Sequence, residues 1–229
     1  LIVLAVWRGL PQIEDATERH FWRLVGLSYS TWLFVSLPYA VLNPREQWTI
    51  GWKIYGDLCY LAGYLCLVLA IEVQPHRRQT GSLGDRERQL RTFGAILLAF
   101  FLLAYFVLVP ATFNGTSYES SVPSFFLFIG LDVVILIRLF SNRRDAWAIR
   151  WSWVYTWMVV AAAFFLADDL IELAGHFYDF TLPMATPIDL LFVTPLALIA
   201  LAARAGHVEF PAEHRVLNEH ASARSTLRA

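Results

Sequence analysis

The sequence predicts an all-α fold, a polytopic transmembrane helix bundle, from its apolar content and its long uninterrupted apolar runs. Apolar residues make up 57% and aromatic residues 15% of the 229 residues, and the mean hydropathy is +0.50. A domain that folds in water rarely contains so high a fraction of apolar residues. Crossing a bilayer takes about 20 apolar residues, and stretches of that length lie at roughly 20–42, 51–73, 91–110, 122–141, 149–173 and 185–205.

The first residues, 1–7 (LIVLAVW), are apolar but too few for a complete span, since they cover only about 10 Å as a helix. We expect them to be the remnant of a seventh span beside six full ones. The domain organisation is then a transmembrane helix bundle over 1–205 and a polar cytoplasmic tail over 206–229.

The basic residues predict the orientation of this bundle. Sixteen of the 18 Lys and Arg residues fall on alternate connections and the tail, and the other side has only Arg45 and Lys53. The basic side of a membrane protein faces the cytoplasm, so we expect the N-terminus outside, the C-terminus inside, and a location in the bacterial cytoplasmic (inner) membrane. Membrane lipids are the expected partners, whereas the net charge of −1 gives no case for nucleic-acid binding.

Carboxylic acids interrupt the apolar runs and mark the candidate ligand pocket. A carboxylate in apolar surroundings is costly unless it is protonated, hydrated, hydrogen-bonded or bound to a cation. One interpretation is that acids are simply tolerated at helix ends, and the other is an outward-facing pocket for a small ligand, proton or cation. The pocket candidates are Asp57, Asp132, Asp168, Asp169 and Asp189.

A metal site is a further interpretation of one part of this pattern. Asp168, Glu172 and His176 recur every four residues and so share one helix face, and carboxylate and imidazole groups can chelate a transition metal. Metal sites are usually richer in His or Cys, so we expect no bound metal. The sequence has no G-x-S-x-G, Walker or H-E-x-x-H motif. We therefore expect no enzymatic activity, and no feature of the sequence requires a cofactor.

The second half of the chain resembles a known class of input domain. The order is IGLDVVILIRLF, the basic turn SNRRDAWAIRWSWVY, then FFLADDLIELAG, then TPIDLLFVTPLALIALAAR. Over roughly 20–205, this is similar to the multi-span, seven-helix N-terminal sensory regions of bacterial histidine kinases and diguanylate cyclases. The residues that carry the resemblance are Asp132, Asp168, Asp169, Asp189 and Pro195. It implies an input module, usually dimeric, with an unknown ligand.

The functional expectation is therefore a membrane-embedded sensory module that detects a small ligand or protonation and signals through the C-terminal tail. One alternative is a non-catalytic accessory subunit of a larger membrane complex, holding lipids or pigments and possibly photosynthetic, with His20 or His176 as axial ligands. Another is a small transporter or proton-handling protein built on Asp57, Asp132 and Asp169. For either of the first two functions, the chain is expected to act as a homodimer or as one subunit of an assembly.

Overall fold

Helices form the regular structure of the described residues, and no strand occurs among them. The computed structural model describes residues 2–42, 50–76, 98, 121–146, 148–178 and 189–207, without the side chains of 2, 36–42, 50–54, 57, 121–125, 176, 189–192 and 207. A short 3-10 helix at Leu10–Gln12 follows the first of the six α-helices in the described part of the chain. These are α1 Ile2–Gly9, α2 Ala16–Leu42, α3 Ile50–Val73, α4 Ser121–Asp145, α5 Ile149–Tyr178 and α6 Asp189–His207. The all-α class is thus confirmed.

The helix positions follow the predicted apolar stretches closely. Helices α2 to α6 cover five of the six predicted stretches, and α1 contains most of the expected remnant. The remaining stretch, 91–110, lies outside the described residues except for Leu98, which packs against the core. The predicted tail also lies outside them beyond the end of α6.

The prediction that these helices cross a membrane is contradicted. Within the part of the chain that the structure describes, no helix qualifies as a membrane span by length and apolarity. Charged residues interrupt the apolar runs, with Asp132 and Arg138 inside α4 and Asp168 and Asp169 inside α5. The finding overturns the predicted location in a bacterial cytoplasmic membrane and leaves the polytopic, N-out and C-in arrangement unsupported.

The helices pack in chain order and close on themselves. Helix α1 packs on α2, α2 on α3, α3 on α4, α4 on α5 and α5 on α6, while α6 also packs against α1. Burial of apolar side chains between these neighbours is the main force that holds helices of this kind together. The buried core runs through all six helices, with Val6, Val25, Ile71, Leu139, Val154 and Ala202 among its members.

Aromatic rings join α2 to α5 in this core. Phe21 meets the edges of Trp22, Trp151 and Tyr155 at centroid distances of 5.0, 5.5 and 6.5 Å. Edge-to-face geometry of this kind contributes beyond simple area burial. The start of α2 is therefore fixed against the start of α5.

A half-buried arginine contacts three helix ends. Arg150, at the start of α5, donates from Nη2 to Glu18 Oε2 at 2.7 Å and from Nη1 to the Gly206 carbonyl oxygen at 3.0 Å. Glu18 lies in the first turn of α2 and Gly206 at the end of α6. We call this set of Arg150, Glu18 and Gly206 the Arg150 clamp.

Close packing accompanies the Arg150 clamp. A Cβ atom built on Gly206 would lie 2.6 Å from Cζ2 of the buried Trp22 ring. Only a residue without a side chain therefore allows the end of α6 to approach α2 this closely.

Polar contacts also join the end of α3 to α4 near the same end of the bundle. Arg138 donates two hydrogen bonds to the Glu72 carboxylate at 2.6 and 2.7 Å. Gln74, which has a positive φ of 48°, donates to Asn142 at 3.0 Å, and Asn142 donates to the Ile71 carbonyl oxygen at 2.9 Å.

His76 also belongs to this end of the bundle. It is buried, and its Nδ1 atom lies 2.8 Å from the Tyr155 hydroxyl. Helices α2 and α5 therefore begin, and α3, α4 and α6 end, at one end of the bundle. Asp132 of α4 and Asp168 and Asp169 of α5 lie away from that end.

The close approach of α2 to α3 makes a first test of the packing. A Cβ on Gly63 would lie 2.5 Å from Trp32 Nε1 and 2.8 Å from Thr31 Oγ1. We expect Gly63→Ala to lower the free energy of unfolding by about 1–3 kcal/mol, the usual effect of overpacking, as measured by urea denaturation.

Gly130→Ala is the matched control, because no atom lies within 4 Å of a Cβ at that helical position. Alanine favours a helix over glycine by up to about 1 kcal/mol, so this variant should be as stable as the parent or more stable. Equal effects of the two substitutions would contradict the packing of α2 on α3.

Candidate functional site

A pair of hydrogen-bonded carboxyl groups lies in the core between α4 and α5. Asp132, in the middle of α4, is only 2% exposed. Its carboxyl group lies within hydrogen-bonding reach of that of Asp169 in α5 and of the Tyr64 hydroxyl in α3. Two carboxyl groups can hydrogen-bond to each other only when one of them holds a proton. A proton held by one of the two carboxyl groups would therefore link the two helices.

Further acids on α5 surround this pair. Asp168 is 9% exposed and acts electrostatically on Asp132, and Glu172 acts on both Asp168 and Asp169. Asp168 and Glu172 share a helix face because they are four residues apart, although the Glu172 side chain is exposed. We call Asp132, Asp168, Asp169 and Glu172 the acid cluster.

The environment shifts the pKa of each buried acid upward. Burial raises the pKa of Asp132 to about 7, although its hydrogen bonds with Tyr64 and Asp169 favour the charged form. Burial and then the Asp132 charge raise the pKa of Asp169 to about 8. Burial and then the Glu172 and Asp169 charges raise the pKa of Asp168 to about 7. Asp132, Asp168 and Asp169 thus change their protonation near neutral pH, in contrast to ordinary surface carboxylates.

A small cavity opens beside Asp132. The space open to the centre of a water-sized sphere is about 10 Å³, which is close to the minimum that holds one water molecule. Helices α2, α3, α4, α5 and α6 all contribute to its wall. The lining residues are Tyr29, Trp32, Leu67, Asp132, Ile135, Leu139, Met158, Ala161, Ala162, Phe165 and Ile199.

Several polar atoms of the cavity residues lack a hydrogen-bond partner among the described residues. These are the Tyr29 hydroxyl, Trp32 Nε1 and Asp132 Oδ2. Tyr29 is 3% exposed, and both its burial and the nearby Asp132 charge raise its pKa, which keeps its hydroxyl protonated. Trp32 Nε1 lies against Gly63 of α3, whereas Tyr29 and Asp132 line the cavity. Because buried polar groups are almost always satisfied, the unpartnered oxygens of Tyr29 and Asp132 indicate a small polar occupant.

The structure brings together three of the five predicted pocket residues. Asp132, Asp168 and Asp169 interact directly or electrostatically. The side chains of Asp57 in α3 and Asp189 at the start of α6 lie outside the described residues.

The aromatic partners of the acid cluster were not predicted from the sequence. Tyr64 hydrogen-bonds Asp132, and Tyr29 and Trp32 line the cavity. The only sequence feature that pointed to these partners was the presence of Tyr and Trp, whose side chains have polar tips, inside strongly apolar helices. Helical periodicity alone does not show that they meet an acid on another helix.

The structure also places the candidate metal and pigment ligands. Among the described side chains, no group of three or more His, Cys, Asp or Glu residues is arranged to hold a metal ion. Asp168 and Glu172 lie on α5 as predicted, whereas the side chain of His176 lies outside the described residues, and His20 is exposed on α2.

No family model, curated protein or solved structure matches this chain. The class that the fold and the site define is an all-α bundle, within the described ranges, with a protonatable acid cluster in its core. The resemblance to sensory regions of signalling proteins stays a prediction.

The raised pKa values predict the pH dependence of stability. The native state binds protons more tightly than the unfolded chain, in which aspartate has a pKa of about 4. The free energy of unfolding should therefore be highest at acid pH and fall as the pH rises from about 4 to about 8, with a slope of about 1.4 kcal/mol per pH unit for each titrating carboxyl. Denaturant titrations across this range measure it.

Asp132→Asn should make this slope shallower. It removes one titrating group, and it lowers the pKa of Asp169 by removing the neighbouring charge and hydrogen bond. Glu14→Gln, at an exposed acid, should keep the parent slope. Parental stability that stays constant or rises between about pH 5 and about pH 8 would exclude the proposed burial of these carboxyls.

Proposed function

We propose that this chain is a sensory input module in which the acid cluster takes up or releases a proton and α6 transmits the change. The observation that carries the proposal is the hydrogen bond between the carboxyl groups of Asp132 and Asp169, on two different helices within the core. The resemblance of the second half of the chain to sensory regions supports the same assignment.

The chemistry of the pair supports a response to protonation. While one proton is shared, the carboxyl groups attract each other and hold α4 against α5. After that proton leaves, two like charges face each other in a poorly hydrated core, where their repulsion is only weakly screened. The pair therefore favours one spacing of α4 and α5 when it is protonated and a wider spacing when it is not.

Helix α6 is the element through which this change reaches the end of the bundle. It packs along α5, and its Ile199 side chain lines the cavity beside Asp132. Seven residues later, Gly206 accepts the hydrogen bond of Arg150 in the Arg150 clamp, about 10 Å further along the helix axis. Pro195 lies inside α6, and it removes one backbone hydrogen bond of that helix. A shift of α5 is thus communicated to the helix end.

The proposal requires that a proton favour one arrangement of the bundle over another, because a ligand with equal affinity for both shifts nothing. We expect the protonated arrangement to protect the backbone amides of 199–206 in α6 from hydrogen exchange. Protection in this segment should fall between about pH 6 and about pH 9, after correction for intrinsic exchange rates, as the acid cluster ionises. Mass spectrometry of exchanged peptides measures the change.

Two variants separate sensing from transmission in this experiment. Asp169→Asn should reduce the pH-dependent part of the change, because the amide cannot ionise, whereas Asp132 and Asp168 still can. Arg150→Met should lower the protection of 199–206 both at about pH 6 and at about pH 9, because the Gly206 carbonyl oxygen loses the hydrogen bond from Arg150. Arg144→Met, at an exposed position, is the control for loss of a cation. An unchanged pH response in Asp169→Asn would refute the proposal.

A second candidate function is that of a non-catalytic subunit in a larger assembly, including a homodimer. One face of α4 supports it, since large apolar side chains there are exposed. They are Phe126, Val133, Val134, Ile137 and Phe140. Contiguous exposed apolar surface of this kind often marks an interface.

Light scattering tests this second candidate. The expected outcome is a mass at least twice the 26.1 kDa of one chain, reduced by Ile137→Asp, which puts a charge on the apolar face. Arg144→Asp also adds an acid to an exposed position of α4 but should leave the mass unchanged. A monomeric parent protein would remove the support for this function.

A further inference from the structure

We propose that the cavity beside Asp132 is a binding site for ammonium, a monovalent cation of the size of a water molecule. The proposal names the ligand class of the site described above, and its regulatory consequence in α6 rests on the proposed function. Binding itself is testable without any assumption about signalling.

The size of the cavity restricts the ligand. Its space of about 10 Å³ for the centre of a water-sized sphere accommodates about one such particle. Ammonium has nearly the dimensions of water, whereas an organic amine carries at least one more heavy atom. The cavity therefore selects against larger cations unless the helices separate.

The charge around the cavity favours a cation over an anion. Asp132 lies in the wall, and Asp168 and Asp169 act on Asp132 from α5. None of the lining residues is Lys, Arg or His. A positive ion would compensate the ionised cluster in a region where repulsion between carboxylates is strong.

The available acceptors favour ammonium over a metal cation of similar size. Asp132 Oδ2 and the Tyr29 hydroxyl oxygen are unpartnered, and the rings of Trp32 and Phe165 complete that side of the wall, 4.9 Å apart between centroids. Ammonium has four N–H donors, which can bond to oxygens and also point at aromatic faces. A potassium ion instead requires several oxygens in place of its hydration shell.

The Trp32 ring is held in place from the other side. A Cβ on Gly63 would lie 2.5 Å from Trp32 Nε1, so this nitrogen lies against α3. Tyr29 and Tyr64 meet the same ring at centroid distances of 5.2 and 5.6 Å. This part of the wall is therefore fixed before any ligand arrives, which lowers the entropic cost of binding.

Protons and ammonium compete for the same carboxyl group. The ionisable groups that face Asp132 are Tyr29 from α2, Tyr64 from α3, and Asp168 and Asp169 from α5. Ammonium binds the ionised acid, whereas a proton neutralises it. Binding should therefore strengthen as the pH rises from about 6 to about 8, while ammonium itself stays protonated.

Thermal unfolding in matched salts tests the site. At about pH 8, ammonium chloride should raise the unfolding midpoint above the values in equal concentrations of potassium chloride and sodium chloride, and the increase should saturate with concentration. Equilibrium dialysis with ¹⁵N-labelled ammonium should give one ion per chain. The potassium control has the same charge and nearly the same radius.

Two variants and a matched control assign the effect to the cavity. Asp132→Asn should abolish the ammonium-specific increase, and Tyr29→Phe should weaken it several-fold. Tyr178→Phe removes the hydroxyl of an exposed tyrosine and should leave the increase unchanged. If Asp132→Asn does not fold, the comparison of ammonium with potassium in the parent protein and in Tyr29→Phe decides the question.

Equal midpoints in the three salts, with no ion retained on dialysis, would show that water alone occupies the cavity and would overturn the ammonium site. An ammonium effect that survives both Asp132→Asn and Tyr29→Phe would overturn it as well. The hydrogen-exchange response in sodium chloride decides the proposed function separately. A pH response without ammonium binding refutes only the ligand, and ammonium binding without a pH response refutes only the signalling role.

Discussion

The central constraint in this structure is that two carboxyl groups meet in the core, where neither can be hydrated as it would be in water. Burial raises the pKa of both Asp132 and Asp169, which favours the protonated form of each, and the Tyr64 hydroxyl lies within hydrogen-bonding reach of Asp132. Each of these groups comes from a different helix. The packing of α3, α4 and α5 against one another is thus linked to the protonation state of a single pair.

At the other end of the bundle, partly exposed charged groups lie in pairs of opposite sign. There, Arg150 is matched by the Glu18 carboxylate and a main-chain oxygen, and Arg138 is matched by both oxygens of Glu72. Each of these arginine charges is thus compensated by a neighbouring carboxylate. Opposite charges are therefore paired at this end of the bundle, whereas the acid cluster groups carboxyl groups with no basic side chain named among them. Helix α6 contacts both regions, through Ile199 and through Gly206.

The apolar runs were sufficient to predict the helices, because a stretch such as 149–173 is too long and too apolar for another element. Asp132 and Asp169 could be selected as candidate site residues because a carboxylate inside such a run needs a compensating partner. Their partners could not be predicted. Tyr29, Trp32 and Tyr64 reach the site from α2 and α3, and the register between helices depends on packing that periodicity does not encode.

The same limit explains His76, which lies just after α3 in a polar segment and yet contacts Tyr155, 79 residues away. The membrane location was inferred from overall apolar content and from the placement of basic residues, and the helices as folded do not support it.

The end of α6 is held by a main-chain atom at a glycine, and this has a consequence for how movement is detected. The Gly206 oxygen moves with the helix axis and has no rotamers of its own, unlike a side-chain acceptor. The length of the 3.0 Å hydrogen bond from Arg150 therefore depends directly on the position of the helix. No change of side-chain rotamer at the acceptor can compensate for a movement of that helix. The adjacent Trp22 ring would lie 2.6 Å from a Cβ at this position, so no residue with a side chain fits there without moving the end of α6 away from α2.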